Sequence, residues 1–195
     1  MVELCANKIT LYLIKKETID ADDYELYQYA FETIVALIMQ LSTILIIGFS
    51  LNRFTETLLF LVFYCPIRQF SGGFHAENYK RCLLFFVTIY ITNIYLMNKL
   101  ISMKSTTAVI VLAFISFIGI YFLAPQEHRH NPLSSEEIKK YKKIVMYLCS
   151  FLLIISVIGI NFVLTYEYAM YLSSVIVWIF IMLILGLIKK GVTNL

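Results

Sequence analysis

Polar residues in this chain come in short bursts between long apolar runs, and those runs mark six segments at about residues 31–51, 54–67, 83–98, 106–123, 144–166 and 168–188. A helix needs roughly 20 apolar residues to cross about 30 Å of hydrocarbon. The first segment and the last two reach that length, and the fourth lies near the lower limit. Segments 54–67 and 83–98 are short, so they are expected to be thin, tilted or partly re-entrant. Ahead of them, Leu4, Ile9, Leu11, Leu13 and Ile14 alternate with Lys8, Lys15, Lys16 and Glu17. This predicts an amphipathic N-terminal segment within residues 1–22 that lies on the inner membrane face or packs on the bundle. Asp20, Asp22 and Asp23 follow as cap and first-turn acids for the first span. The pattern predicts an all-α fold, a polytopic integral-membrane helical bundle of about six transmembrane or partly re-entrant helices. Nothing in it marks an internal repeat, so residues 1–195 are read as a single domain.

Composition removes the alternatives. The 195 residues are 60% hydrophobic and 15% charged, with a mean hydropathy of +0.79, whereas soluble chains are about 45–50% apolar and about 25% charged. A globule of this size could not hide such a surplus beneath a polar surface. Three prolines and seven glycines are too few for a disordered chain, and a net charge of +3 is too mild to call for nucleic acid. With six spans and an inner N-terminus, thirteen Lys and Arg residues fall on the inner side and only Arg53, Lys99 and Lys104 on the outer. That asymmetry orients the chain with both termini in the cytoplasm. Cys5, Cys65, Cys82 and Cys149 stand singly, without disulfide or metal spacing, and the N-terminus lacks the features of a removable signal peptide.

The chemistry concentrates in residues 68–82, Arg-Gln-Phe-Ser-Gly-Gly-Phe-His-Ala-Glu-Asn-Tyr-Lys-Arg-Cys. Cysteine and histidine are the minimum for a thiolate nucleophile with a general base. On one unbroken helix, His75 and Cys82 would be separated by about 10.5 Å at 1.5 Å per residue, too far for proton transfer. A dyad therefore requires a break. Asn78 is placed to cap a new helix from Tyr79, which puts Cys82 near its first turn, where the helix dipole favours a thiolate. His75 would fold back from the preceding loop, and Gly72 and Gly73 allow that loop to turn sharply or approach a peptide. Gln69, Glu77 and Asn78 are candidates to orient the imidazole or stabilise an oxyanion, and Arg68 is either a carboxylate clamp or a membrane-edge anchor. Spacing alone favours a plainer arrangement, a small apolar helix residue, a hydrogen-bonded loop histidine and a turn, with two of Gln69, Glu77 and Asn78 as caps or solvated groups.

Elsewhere, residues 124–143 read as a cytoplasmic loop between Pro125 and Pro132, followed by Ser134 or Ser135 capping a helix with Glu136 and Glu137 in its first turn and a lysine belt behind them. Glu127, His128 and His130 lack a metal-ligand spacing, so no metal and no cofactor is expected. Asn93, Ser116 and Asn161 are expected to hydrogen-bond between spans rather than line a substrate path, and Glu32 needs a partner or water if it lies in the membrane and not at the interface.

Two stretches together resemble one family. Arg68, Gly72-Gly73, His75-Ala76 and Cys82 match the signature of the accessory gene regulator B (AgrB-like) membrane cysteine endopeptidases, and Ala124-Pro125-Gln126-Glu127 through Lys143 resembles that family's central loop. The resemblance implies a bacterial cell-membrane enzyme with its active site on the cytoplasmic side and an AgrD-type precursor peptide as substrate. By carry-over Cys82 is the nucleophile and His75 its base, with Arg68, Gly72 and Gly73 in the active-site motif. The implied reaction releases the precursor's C-terminal tail, holds the signal segment as a Cys82 thioester and closes a thiolactone or lactone for quorum sensing. It also implies a homodimer. The competing readings are a small peptide transporter and a non-catalytic membrane scaffold.

Overall fold

The computed structural model describes residues 2–74, 78–127 and 133–193, and among them the chain forms seven α-helices. These are α1 (Val2–Lys15), α2 (Tyr24–Ser50), α3 (Phe54–Ser71), α4 (Tyr79–Ser102), α5 (Thr106–Leu123), α6 (Ser135–Gly159) and α7 (Tyr166–Thr193). Five stretches are long and apolar enough to cross a membrane: Ala21–Ser50, Tyr79–Ser102, Thr106–Leu123, Ser135–Gly159 and Tyr166–Gly191. Leu37 and Ile38 on α2, Ile115 and Ile118 on α5, and Phe151 and Ile154 on α6 are among the large apolar side chains left exposed. In water such a surface would aggregate; in a bilayer it is solvated by lipid.

The short segment 83–98 is the middle of a 24-residue helix, α4, long enough to span. Segment 54–67 extends to Ser71, with Pro66 inside α3. The 18 residues of α3 measure about 27 Å at 1.5 Å per residue, but Glu56 and Arg68 make it less apolar than its neighbours. It runs antiparallel to α4, with Phe60 against Tyr90 and Tyr64 against Phe86, and it buries Glu56, Thr57, Phe60, Leu61, Tyr64, Ile67 and Ser71. α3 thus turns Glu56, Thr57 and Ser71 into the protein and leaves Leu58 and Val62 exposed on its other side.

α7 forms the centre. It packs on α3, α4, α5 and α6, and Val175, Ile176, Ile179 and Leu183 are completely buried along it. Gly119 of α5 lets the two helices close, since a Cβ there would lie 2.0 Å from the Phe180 ring. Polar bridges set the remaining pairings: Trp178 Nε1 donates to Asn93 Oδ1 (2.9 Å), and Tyr171 OH donates to Asn98 Oδ1 (3.1 Å). At the end where α2 meets α3, Arg53 pairs with Glu56 (2.8 Å) and with Glu167 of α7 (3.0 Å).

The expected interhelical role of Asn93 is thus met, while Ser116 is buried and Asn161 does something else. The segment expected at 144–166 ends at Gly159, because Asn161 Nδ2 donates to Val157 O (2.7 Å) and Thr165 Oγ1 to Gly159 O (2.7 Å), which satisfies terminal carbonyls and stops α6. At the other end of α6, Ser134 forms a capping box with Glu137, as the sequence predicts. The N-terminal segment is helical over Val2–Lys15 and packs on α2, with Ala6 and Thr10 fully buried and Leu4 and Tyr12 exposed.

Candidate active site

α3 ends, α4 begins, α5 ends and α6 begins at the same end of the bundle. Phe70 of α3 stands edge-on to Tyr141 of α6, their centroids 5.3 Å apart. Gln126, just after α5, donates its N–H to Ser71 O (2.9 Å) and its Nε2 to Leu183 O of α7 (2.8 Å). Phe74 N–H donates to Met182 O (2.9 Å). The two motif stretches, far apart in sequence, therefore meet on one turn of α7.

Three glycines make that convergence sterically feasible. Gly72 and Gly73 have φ of 68° and 114°, conformations that side chains other than hydrogen rarely adopt. A Cβ on Gly72 would lie 2.1 Å from Gln126 O, and one on Gly73 would lie 2.8 Å from Met182 O. From the α7 side, a Cβ on Gly186 would lie 2.4 Å from Gln126 Oε1, 2.8 Å from Gly73 C and 2.9 Å from Phe74 N. The loop is laid directly on a helix backbone.

Arg68 fixes the loop from within. Its Nη1 donates to Gly72 O and its Nη2 to Phe74 O. Sequence offered a carboxylate clamp or a membrane anchor for this residue; its contacts instead join loop carbonyls at the C-terminus of α3, where a cation is favoured by the helix dipole. The ring of Phe74 packs on Phe85 (4.9 Å) and lies under Lys189 Nζ (5.5 Å).

α4 starts at Tyr79 with Asn78 in the cap position, its backbone extended at φ −125° and ψ 142° and its side chain making no cap hydrogen bond. Cys82 lies in the first turn, as the spacing predicts, and its N–H donates to Asn78 O (2.9 Å). Its thiol is partly buried, receives a hydrogen bond from Gln40 Nε2 of α2 at 3.1 Å, and lies within electrostatic range of Arg68 and Tyr64. A negative charge on Sγ and the Arg68 guanidinium attract one another across this gap. Cys5 is exposed, and Cys149 is completely buried, so neither shares this setting.

Of the other expected site residues, Gln69 is exposed, turned about 100° around α3 from Arg68, and Asn78 is exposed at the loop end. His75 and Glu77 lie outside the described residues, as do His128 and His130. Among the described residues no group of three His, Cys, Asp or Glu side chains could hold a metal ion. Glu32 has found the partners it needs: Gln28 Nε2 (3.2 Å) and Tyr79 OH (3.3 Å) both donate to it.

Gln40, Gln126, Gly186 and Tyr64 were not foreseen as parts of the site. Gln40 carried a readable signal, an amide inside an apolar run that must find a partner. Gly186 carried none, because a glycine in a membrane helix is ordinary.

The family model described as accessory gene regulator B matches residues 6–187. Similar proteins include AgrB-like protein 1 of Clostridium perfringens strain 13, 27% identical over 134 residues that cover 69% of this chain and 71% of that one. AgrB-like protein 2 of the same strain is 26% identical over 166 residues, 82% of this chain and 78% of that one. No solved structure gives a significant match. Since the family match runs through nearly every helix and includes both motif stretches, the chain belongs to the accessory gene regulator B family.

Proposed function

We propose that this protein is a membrane cysteine endopeptidase that removes the C-terminal tail of an AgrD-type precursor peptide and promotes closure of its thiolactone or lactone, with Cys82 as nucleophile and His75 as base. The observation that carries the reading is the setting of Cys82: a partly buried thiol in the first turn of α4 that accepts a hydrogen bond from Gln40 Nε2 at 3.1 Å. Family membership supports the same residue roles.

In this mechanism His75 takes the Cys82 proton and the thiolate attacks the carbonyl carbon at the junction of signal and tail. The tetrahedral adduct collapses, the C–N bond breaks, and the proton passes to the departing amine of the tail. The signal segment remains as a thioester on Sγ. An internal thiol or hydroxyl of the same peptide then attacks that thioester, closes the ring and returns the Cys82 thiol. Intramolecular attack has a large effective concentration, which favours ring closure over attack by water.

The cation distribution supports an active site on the cytoplasmic side, and the lysines of the stretch Lys139–Lys143 lie at the same end as the Arg68 loop, next to Phe70 through Tyr141. They would attract an acidic tail. Purified protein in liposomes with a synthetic precursor tests the proposal. Tail release that disappears in Cys82→Ala and in His75→Ala supports it, whereas precursor transport without cleavage points to a transporter and inert membrane association to a scaffold.

A further inference from the structure

We propose that the side-chain amide of Gln40 is the catalytic donor that receives the negative charge on the scissile carbonyl oxygen when Cys82 attacks; this rests on the nucleophile assignment above. The starting observation is contact with the reacting atom itself, Gln40 Nε2 donating to Cys82 Sγ at 3.1 Å across the α2–α4 interface. When Sγ bonds to the carbonyl carbon, the oxyanion forms two bonds away from sulfur. A donor already touching Sγ reaches that oxygen by a small side-chain rotation, and an amide nitrogen has a second hydrogen that can stay on sulfur.

The backbone leaves this role open. The N–H of a nucleophilic residue can serve as an oxyanion donor only if it is free, but the Cys82 N–H is engaged by Asn78 O at 2.9 Å inside α4. The charge that develops on the substrate oxygen therefore needs a donor other than the Cys82 N–H, and Gln40 Nε2 is a donor that already touches Sγ. Arg68, the nearby cation, already holds the Gly72 and Phe74 carbonyls.

The sequence around Gln40 supports a dedicated position. Residues 34–48 are apolar apart from Gln40, Ser42 and Thr43, and Thr43 Oγ1 turns back on its own helix at Met39 O (2.7 Å). Gln40 instead reaches another helix. It follows Ala36 and Glu32 on α2 at four-residue steps, so that each is a neighbour of the next along the helix surface. Ala36 is buried, and Glu32 accepts from Tyr79 OH (3.3 Å), three residues before Cys82. That bond fixes the start of α4 against α2 and holds the amide in register with the thiol.

The test compares two reactions of the same sulfur in Gln40→Leu and Gln40→Met, with protein in liposomes. Tail release from saturating precursor in a single turnover forms an oxyanion. Alkylation of Cys82 by iodoacetamide, followed by mass spectrometry of the Cys82 peptide, does not. Removing an oxyanion donor costs about 10²–10³-fold in rate, so tail release should fall by about that factor in both variants while alkylation stays within about twofold of wild type. Unchanged tail release, or a parallel fall in both reactions, would overturn the assignment, the latter because it would make Gln40 a support for the thiol. If wild-type tail release persists in Cys82→Ala, the nucleophile assignment fails instead.

Discussion

Replacing Gly186 by alanine adds one methyl group at the point where the loop lies on α7. That methyl would sit 2.8 Å from Gly73 C and 2.9 Å from Phe74 N, where ordinary contact begins near 3.4 Å, so both backbone atoms must retreat by about 0.5–0.6 Å. Overpacking of this kind costs about 1–3 kcal/mol, and helix propensity returns about 1 kcal/mol inside α7. Net destabilisation should therefore be small, about 0–2 kcal/mol, and the protein should still fold. Activity is more sensitive, since about 1 Å of misplacement can cost about 10²-fold; half of that displacement predicts a loss of about tenfold in tail release. The control is Gly191→Ala on the same helix, where an added Cβ meets nothing within 4 Å. The assay is tail release in liposomes beside thermal unfolding in detergent. If Gly186→Ala cleaves at the wild-type rate, the loop's contact with α7 does not govern the site, and the reasoning fails.

Arg68→Lys keeps the charge but loses the forked bonds to Gly72 O and Phe74 O; tail release should drop at least tenfold with membrane insertion intact, and a near-normal rate would reduce Arg68 to an anchor. Trp178→Phe leaves Asn93 Oδ1 unpaired beside an Nδ2 that already lacks a partner, which should cost about 1–3 kcal/mol in an unfolding titration. Ser134→Ala removes the capping box of α6 and should cost about 1 kcal/mol in the same measurement. Raising salt from about 0.05 to about 0.5 M should slow processing of an acidic-tailed precursor several-fold through screening and leave a neutral-tailed one unaffected; equal responses would remove steering by the lysine belt.

Much of the scaffold could be read from local pattern because local physics decides it. The start of α6 follows from Ser134 and Glu137, which form the capping box, whereas α4 starts at Tyr79 after Asn78 without a side-chain cap bond from it. Helix ends without such signals were harder. Nothing in the apolar run at 144–166 shows that Asn161 and Thr165 fold back onto α6 carbonyls, so the run reads as one span. The same limit applies to the site. Motif residues Arg68, Gly72, Gly73 and Cys82 stand close in sequence and were legible together, whereas Gln126 joins them through backbone bonds that bridge 55 residues, from Ser71 to Gln126. Gln40 and Gly186 belong to helices whose rotation about their own axes is set by packing on α4 and the loop. A single sequence contains their identities but not those rotations.

The central claim is that Cys82 carries the signal segment as a thioester, and the most direct measurement is the intact mass of the protein in liposomes after brief mixing with a precursor whose internal thiol or hydroxyl has been removed. The account predicts an added mass equal to the signal segment without its tail, mapped to the Cys82 peptide, released by hydroxylamine and absent in Cys82→Ala. Tail release with no covalent adduct, or an adduct on Cys5, Cys65 or Cys149 instead, would contradict it.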